Sequence, residues 1–176
     1  MTLQPIPDHA LADRPDREMP AHEAHHASLR LWLRLLSCSL LIEGTIRQRL
    51  RQQFEVTLSR FDLLAQLDRS RRGLTMGELT RRMMFSGGNV TVIVSQLEQE
   101  GLVQRSNDPG DRRSFKVKLT PAGRKNFRKM AKVHEQWVVD LLSRLSDQDQ
   151  AQLHRLLGSL KTAVHRQQTD LDQEAL

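Results

Sequence analysis

The sequence predicts a mainly α-helical chain that carries a single basic β-hairpin. Three observations lead there. Beyond residue 27, apolar residues recur at helical spacing over almost the whole chain. One stretch, NDPGDRRSFKVKLTPAG at 107–123, departs from that pattern: turn formers are followed by alternation, with Phe115, Val117 and Leu119 apolar and Ser114, Lys116 and Lys118 polar. Cations also gather there, with ten Lys and Arg against two Asp in residues 101–132.

The whole chain has 176 residues, a net charge of +6 and a pI near 10.2. That length suits one domain with a real core. The clustered charge points to a polyanionic partner, nucleic acid before an anionic membrane, against the plainer reading of a solvated basic face. No apolar run is long enough to span a bilayer, and the N-terminus lacks the pattern of a secretory signal. The single cysteine allows no intrachain disulfide. A cytoplasmic protein with no membrane association is the expectation.

Residues 1–26 are rich in Pro, Asp and His without periodicity and read as a disordered tail. His22, Glu23, His25 and His26 lie there, but no helix start aligns them as metal ligands, so no metal or other cofactor is expected. From Leu29 a helix begins. Leu29, Trp32, Leu33, Leu36 and Leu40 form one stripe, and Leu31, Leu35, Ile42 and Ile46 widen it beyond one face. A helix apolar on more than one side must be covered on more than one side, and a second subunit is a natural cover. A second helix follows, with Ser59 able to cap it and Phe61, Leu64 and Ala65 facing the core.

Thr75 and Glu78 then form a capping box, with Leu74 and Leu79 as its staple, for a short helix ending near Met84. Ser86 can cap the next helix, whose core stripe is Val90, Ile93, Val94 and Leu97 and whose stop is Gly101. Its outward face carries Gly88, Asn89, Thr91, Val92, Ser95, Gln96 and Gln99. After the hairpin, Thr120-Pro121 starts a helix reaching about Leu145, and Ser146 with Asp149 starts a last one bearing Leu153, Leu156, Leu157, Leu160 and Val164.

Two helices joined by a tight turn and followed by a basic hairpin make a winged helix-turn-helix. The expected organisation is a helical dimerisation region at 27–56 and 121–168, a winged helix-turn-helix at 57–120 and a frayed end at 169–176. The helix after the turn can show its side chains to base edges in a major groove. Asn89, Thr91, Ser95 and Gln96 can hydrogen-bond bases, and Val92 can meet a thymine methyl. The backbone around Ser86, Gly87 and Gly88 can donate to a phosphate. Arg81, Arg82, Arg112, Arg113 and Lys116 supply cations, because the reading helix has none between Ser86 and Gly101.

At this point the sequence resembles the MarR (multiple antibiotic resistance regulator) family of bacterial transcription factors, over about residues 28–166. The strongest part is DPGDRRSFKVKLTPAG, which matches the family's wing: Asp111 and Arg113 stand where it has Asp-x-Arg, and Leu119-Thr120 where it has Leu-Thr. The resemblance implies a homodimeric regulator of transcription on a near-palindromic double-stranded operator, with no enzymatic activity. It also implies a wing in which Asp111 orients Arg113. LRLWLRLLS, RFDLLAQLDR and MMFSGGNVT further resemble regulators of aromatic-acid breakdown, some of which respond to acyl-CoA thioesters. That suggests a repressor released by a small aromatic effector, with Trp32, Leu36 and Phe61 as apolar lining and Arg30, Arg34 and Arg60 as cations at the mouth. The alternatives are a ligand-independent architectural DNA-binding protein and a redox-sensing regulator using Cys38. The plainer readings are that Cys38 is a buried structural thiol and that Trp32 and Trp137 are core or interface anchors.

Overall fold

Local start and stop signals set most of the helices, and turn residues with two-residue alternation set the hairpin. A computed structural model of the chain describes residues 27–83, 90–108 and 111–174, and the side chains of 107, 108, 111–114, 172 and 174 fall outside the description. The predicted tail at 1–26, with its His cluster, lies outside the described residues. The order is α1 (Ala27–Phe54), α2 (Leu58–Arg69), α3 (Met76–Arg82), α4 (Val90–Gln99), β1 (Val103–Asp108), β2 (Asp111–Leu119), α5 (Pro121–Leu142) and α6 (Asp147–Glu174). No helix among the described residues is long and apolar enough to cross a membrane.

The chain divides into two units, one ending at Gln53 and one beginning at Phe54. In the first, α1 exposes Leu29, Leu31, Trp32, Leu36, Leu40, Leu41 and Ile42, and only its Ile46 and Leu50 are buried. Cys38 is exposed too, which corrects the expectation of a buried thiol: it sits in the part of α1 whose apolar side chains are uncovered.

In the second unit, α2 starts two residues earlier than the Ser59 cap predicts. Thr57 is the N-cap, its hydroxyl accepting from the Arg60 N–H at 3.3 Å, so Ser59 lies inside the helix. Both residues are hydroxyl-bearing, and the extended backbone at Thr57 decides between them. α3 opens with the expected capping box: the Glu78 N–H donates to Thr75 Oγ1 at 3.3 Å, and the Thr75 N–H donates to Glu78 Oε2 at 2.8 Å. The Thr75 backbone bond, followed by its side-chain bond, holds the Glu78 carboxyl below the usual glutamate range. α6 starts at the Ser146 and Asp149 pair as expected. It continues to Glu174 where fraying was expected from 169, since no Gly or Pro interrupts the chain after Gly158.

The core of this unit joins α2, α3, α4, α5 and the hairpin. Leu63, Leu64, Leu67, Leu79, Val94, Leu97, Val103 and Val117 are almost fully enclosed. α2 packs against α5, β2 and α3, and α4 packs against α3 and β1. Phe61 stacks with Phe127 at 5.5 Å and with His134 at 4.7 Å, and Phe54 meets Trp137 at 6.1 Å between ring centres. Burial among these rings pushes the His134 pKa down. Trp137 is a core residue, as one of its two readings had it.

β1 and β2 pair antiparallel, Val103 opposite Leu119 and Asn107 opposite Phe115, with an irregularity beyond Asn107. Leu74, just before α3, joins the other edge of β2: its N–H donates to Val117 O at 3.0 Å, and the Val117 N–H donates back at 2.8 Å. The hairpin is therefore bonded through β2 to the segment that leads into α3.

The tightest joint lies where α4 ends and α5 begins. Gly101 has φ +69°, the Leu102 N–H donates to Leu97 O at 2.9 Å, and the Gly101 N–H donates to Glu98 O at 3.0 Å, a complete Schellman stop. Thr120 caps α5 and also donates its hydroxyl to Gly101 O at 2.7 Å. A Cβ on Gly123 would lie 1.9 Å from Leu102 O, so only glycine fits. Gly123→Ala should therefore lower unfolding stability by about 1–3 kcal/mol, the range for overpacking. Gly158→Ala, with nothing within 4 Å of its added methyl in α6, should instead be neutral or stabilising by about 0.5–1 kcal/mol. Urea denaturation of both variants checks this, and a Gly123→Ala midpoint equal to wild type would show that the joint is loose.

Candidate nucleic-acid interface

α4 is amphipathic by construction. Ile93, Val94 and Leu97 are buried, while Thr91, Val92, Gln96 and Gln99 are exposed and Ser95 is half-buried. Val92 is 49% exposed, an apolar side chain facing outward among hydroxyls and amides. That face offers hydrogen-bond donors, acceptors and one methyl-bearing contact with no long charge, a chemistry that suits base edges better than phosphates. Ser86, Gly87, Gly88 and Asn89 lie outside the described residues. So do the side chains of Asp111, Arg112 and Arg113, although β2 runs through all three.

The flanking cations take their places from α3 and β2. Arg81 and Arg82 close α3 and are exposed. Lys116 is half-buried on β2 and, with Arg82, lies close enough to Glu78 to help lower its pKa. α3, α4 and the hairpin thus bring these groups to one assembly, because the Leu74–Val117 pairing fixes β2 beside the start of α3.

One cation was not singled out from the sequence. Arg105, on β1, reaches back to α4: its guanidinium lies 3.3 Å from Glu98 Oε2, donates to Ser95 Oγ at 3.4 Å, and covers the Phe115 ring at 4.8 Å. It therefore ties the reading helix to both strands of the hairpin. The signal was present in the alternation. Arg105 shares a strand face with buried Val103, which turns its charge toward α4. Ser95, expected to read bases, shares its hydroxyl with this arginine.

The residues expected around an effector fall in two places. Arg30, Trp32, Arg34 and Leu36 are exposed on α1, Trp32 at 55%. Phe61 is 7% exposed within the ring cluster, and Arg60 pairs with Glu100 at the end of α4. The Arg60 Nε is buried without a hydrogen-bond partner.

Residues 54–114 match the family model described as MarR family. The fold superposes on the crystal structure of a MarR family transcriptional regulator from Silicibacter pomeroyi with a TM-score of 0.69, at 30% identity over 82% of this chain and 99% of that one. The chain is 28% identical to the HTH-type transcriptional regulator PecS of Dickeya dadantii, covering 70% of this chain and 75% of PecS. It is 31% identical to the transcriptional activatory protein BadR of Rhodopseudomonas palustris, covering 54% of this chain and 55% of BadR.

Arg105→Ala removes a ring contact and a partly exposed ion pair, so unfolding stability should fall by about 1 kcal/mol. Arg105→Lys keeps the charge but not the flat stacking group, and should fall in between. Equal denaturation midpoints for all three proteins would mean that Arg105 does not brace the hairpin.

Proposed function

The chain belongs to the MarR family of transcriptional regulators, and from that membership we propose that it acts as a homodimer on a near-palindromic DNA operator, as a repressor released by a small aromatic ligand. The observation that carries the DNA part is the uncharged outward face of α4, held rigidly to a basic hairpin and flanked by Arg81 and Arg82. Amides and hydroxyls select bases, while cations around them hold the backbone and set register. On this reading the backbone around Ser86, Gly87 and Gly88 donates to a phosphate, Asn89 reads a base, and Arg112 and Arg113 contact the backbone or a minor groove, with Asp111 orienting Arg113.

The dimer is supported by apolar surface that a monomer leaves in water: Leu31, Trp32, Leu40 and Leu41 on α1, and Leu153, Leu156, Leu157 and Val164 on α6. Two-fold symmetry then sets half-sites about one helical turn apart. The effector reading rests on Trp32 and Leu36 with Arg30 and Arg34 on α1 and, separately, on Phe61 with Arg60 on α2; each set offers apolar and cationic side chains to an aromatic acid or its CoA ester. Release requires that the ligand favour a dimer whose α4 spacing no longer fits the operator. A redox reading is kept because Cys38 is exposed. A ligand-independent architectural role is kept as the contrasting alternative, in which binding would be blind to sequence.

Footprinting upstream of the chain's own gene, with sedimentation in parallel, tests these readings together. The expected result is a dimer protecting a near-palindrome, with at least a tenfold loss of affinity, or about 1.4 kcal/mol of coupling, on adding benzoate, a hydroxycinnamate or a CoA thioester of either. A stable monomer protecting one half-site contradicts the dimer. Protection without sequence preference selects the architectural role, and release only by peroxide, lost in Cys38→Ser, selects the redox one.

A further inference from the structure

α5 carries a row of cations that the helix-turn-helix does not use. Lys125, Arg128, Lys129 and Lys132 are all exposed and sit three, four and seven residues apart, on one face over about 10 Å of helix. Arg124 is turned away from this row and pairs with Asp68 at 2.6 Å. Among the described residues none of the four cations is paired with an acid, and the acids of α5 come later, at Glu135 and Asp140.

The row works against the stability of the free protein. It begins in the second turn of α5 and reaches the fourth, on a helix with no acid before Glu135. α5 has no acid in its first turn, whereas α3 has Glu78 and α6 has Asp147 and Asp149. Its members also face like charges one turn away along the same face. This repulsion vanishes against a polyanion. A row of about 10 Å runs alongside about three phosphates of one DNA strand. Continuity favours the same duplex that α4 meets: β2 passes straight into α5, and Thr120 and Gly123 lock the start of α5 onto the end of α4.

We propose that Lys125, Arg128, Lys129 and Lys132 form a second DNA-contacting surface, which holds phosphates of the operator duplex outside the segment met by α4 and the hairpin. This rests on the DNA-binding reading above. The surface adds affinity and footprint length without adding sequence preference.

The test uses the full-length protein and two duplexes: the operator recovered by selection in vitro, and the same operator with ten arbitrary base pairs on each side. The variant combines Lys125→Gln, Arg128→Gln, Lys129→Gln and Lys132→Gln. Wild type should bind the longer duplex about tenfold more tightly, with a log–log salt slope steeper by about two to three. The variant should lose both differences, keep wild-type affinity for the short duplex, and unfold at a higher temperature. The combination of higher stability and weaker binding is the signature of this surface. Equal length dependence in wild type and variant overturns the proposal, including the case in which the row docks an acidic protein instead. A wild type that binds neither duplex overturns the DNA-binding reading along with it.

Discussion

α4, the hairpin and α5 meet at one joint, where the end of α4 and the start of α5 close on each other. Gly101 turns the chain through a left-handed conformation, Thr120 caps α5 while bonding back to Gly101 O, and Gly123 lets the α5 backbone come against Leu102. The ends of two helices and the base of a hairpin thereby satisfy one another's free backbone groups. No side chain larger than hydrogen can stand at Gly123 without moving this contact, so the approach of α5 to Leu102 is set by backbone geometry, while the Arg105 side chain braces α4 against the hairpin.

Charge is segregated around that frame. The exposed face of α4 is neutral, and the cations lie on α3, the hairpin and α5. Attraction to DNA through phosphate contacts is strong but blind to sequence, whereas neutral amides and hydroxyls discriminate at short range. Keeping the two on separate elements lets affinity and preference be set independently. Arg105 is the exception that links them, because its guanidinium is spent on Glu98, Ser95 and Phe115 within the protein. Its role is to brace α4 against the hairpin.

What was legible in the sequence was local. The capping box at Thr75 and Glu78, the Thr120-Pro121 start, the Gly101 stop and the two-residue alternation of the hairpin each depend on residues a few positions apart. What was not legible depended on distance. Ser59 and Thr57 are equally good caps on paper, and only the backbone conformation separates them. Arg60 finds Glu100 forty residues away, and Arg105 finds Glu98 across a turn; neither partner follows from periodicity. Cys38 and Trp32 read as candidates for burial because they lie in an apolar helix, yet a single chain leaves both exposed. Hydrophobic patterning says that a surface is to be covered, without saying whether the same chain or a second copy covers it.

The central claim is that α4 chooses the sequence while the cations beside it supply affinity. Selection of binding sites from a random DNA pool, run in parallel on wild type, Gln96→Ala with Asn89→Ala, and Arg81→Ala with Arg82→Ala, tests it most directly. The account predicts a changed or relaxed consensus for the Gln96 and Asn89 variant, and an unchanged consensus with uniformly weaker, less salt-dependent binding for the arginine variant. An unchanged consensus in the first variant, or an altered one in the second, would contradict it.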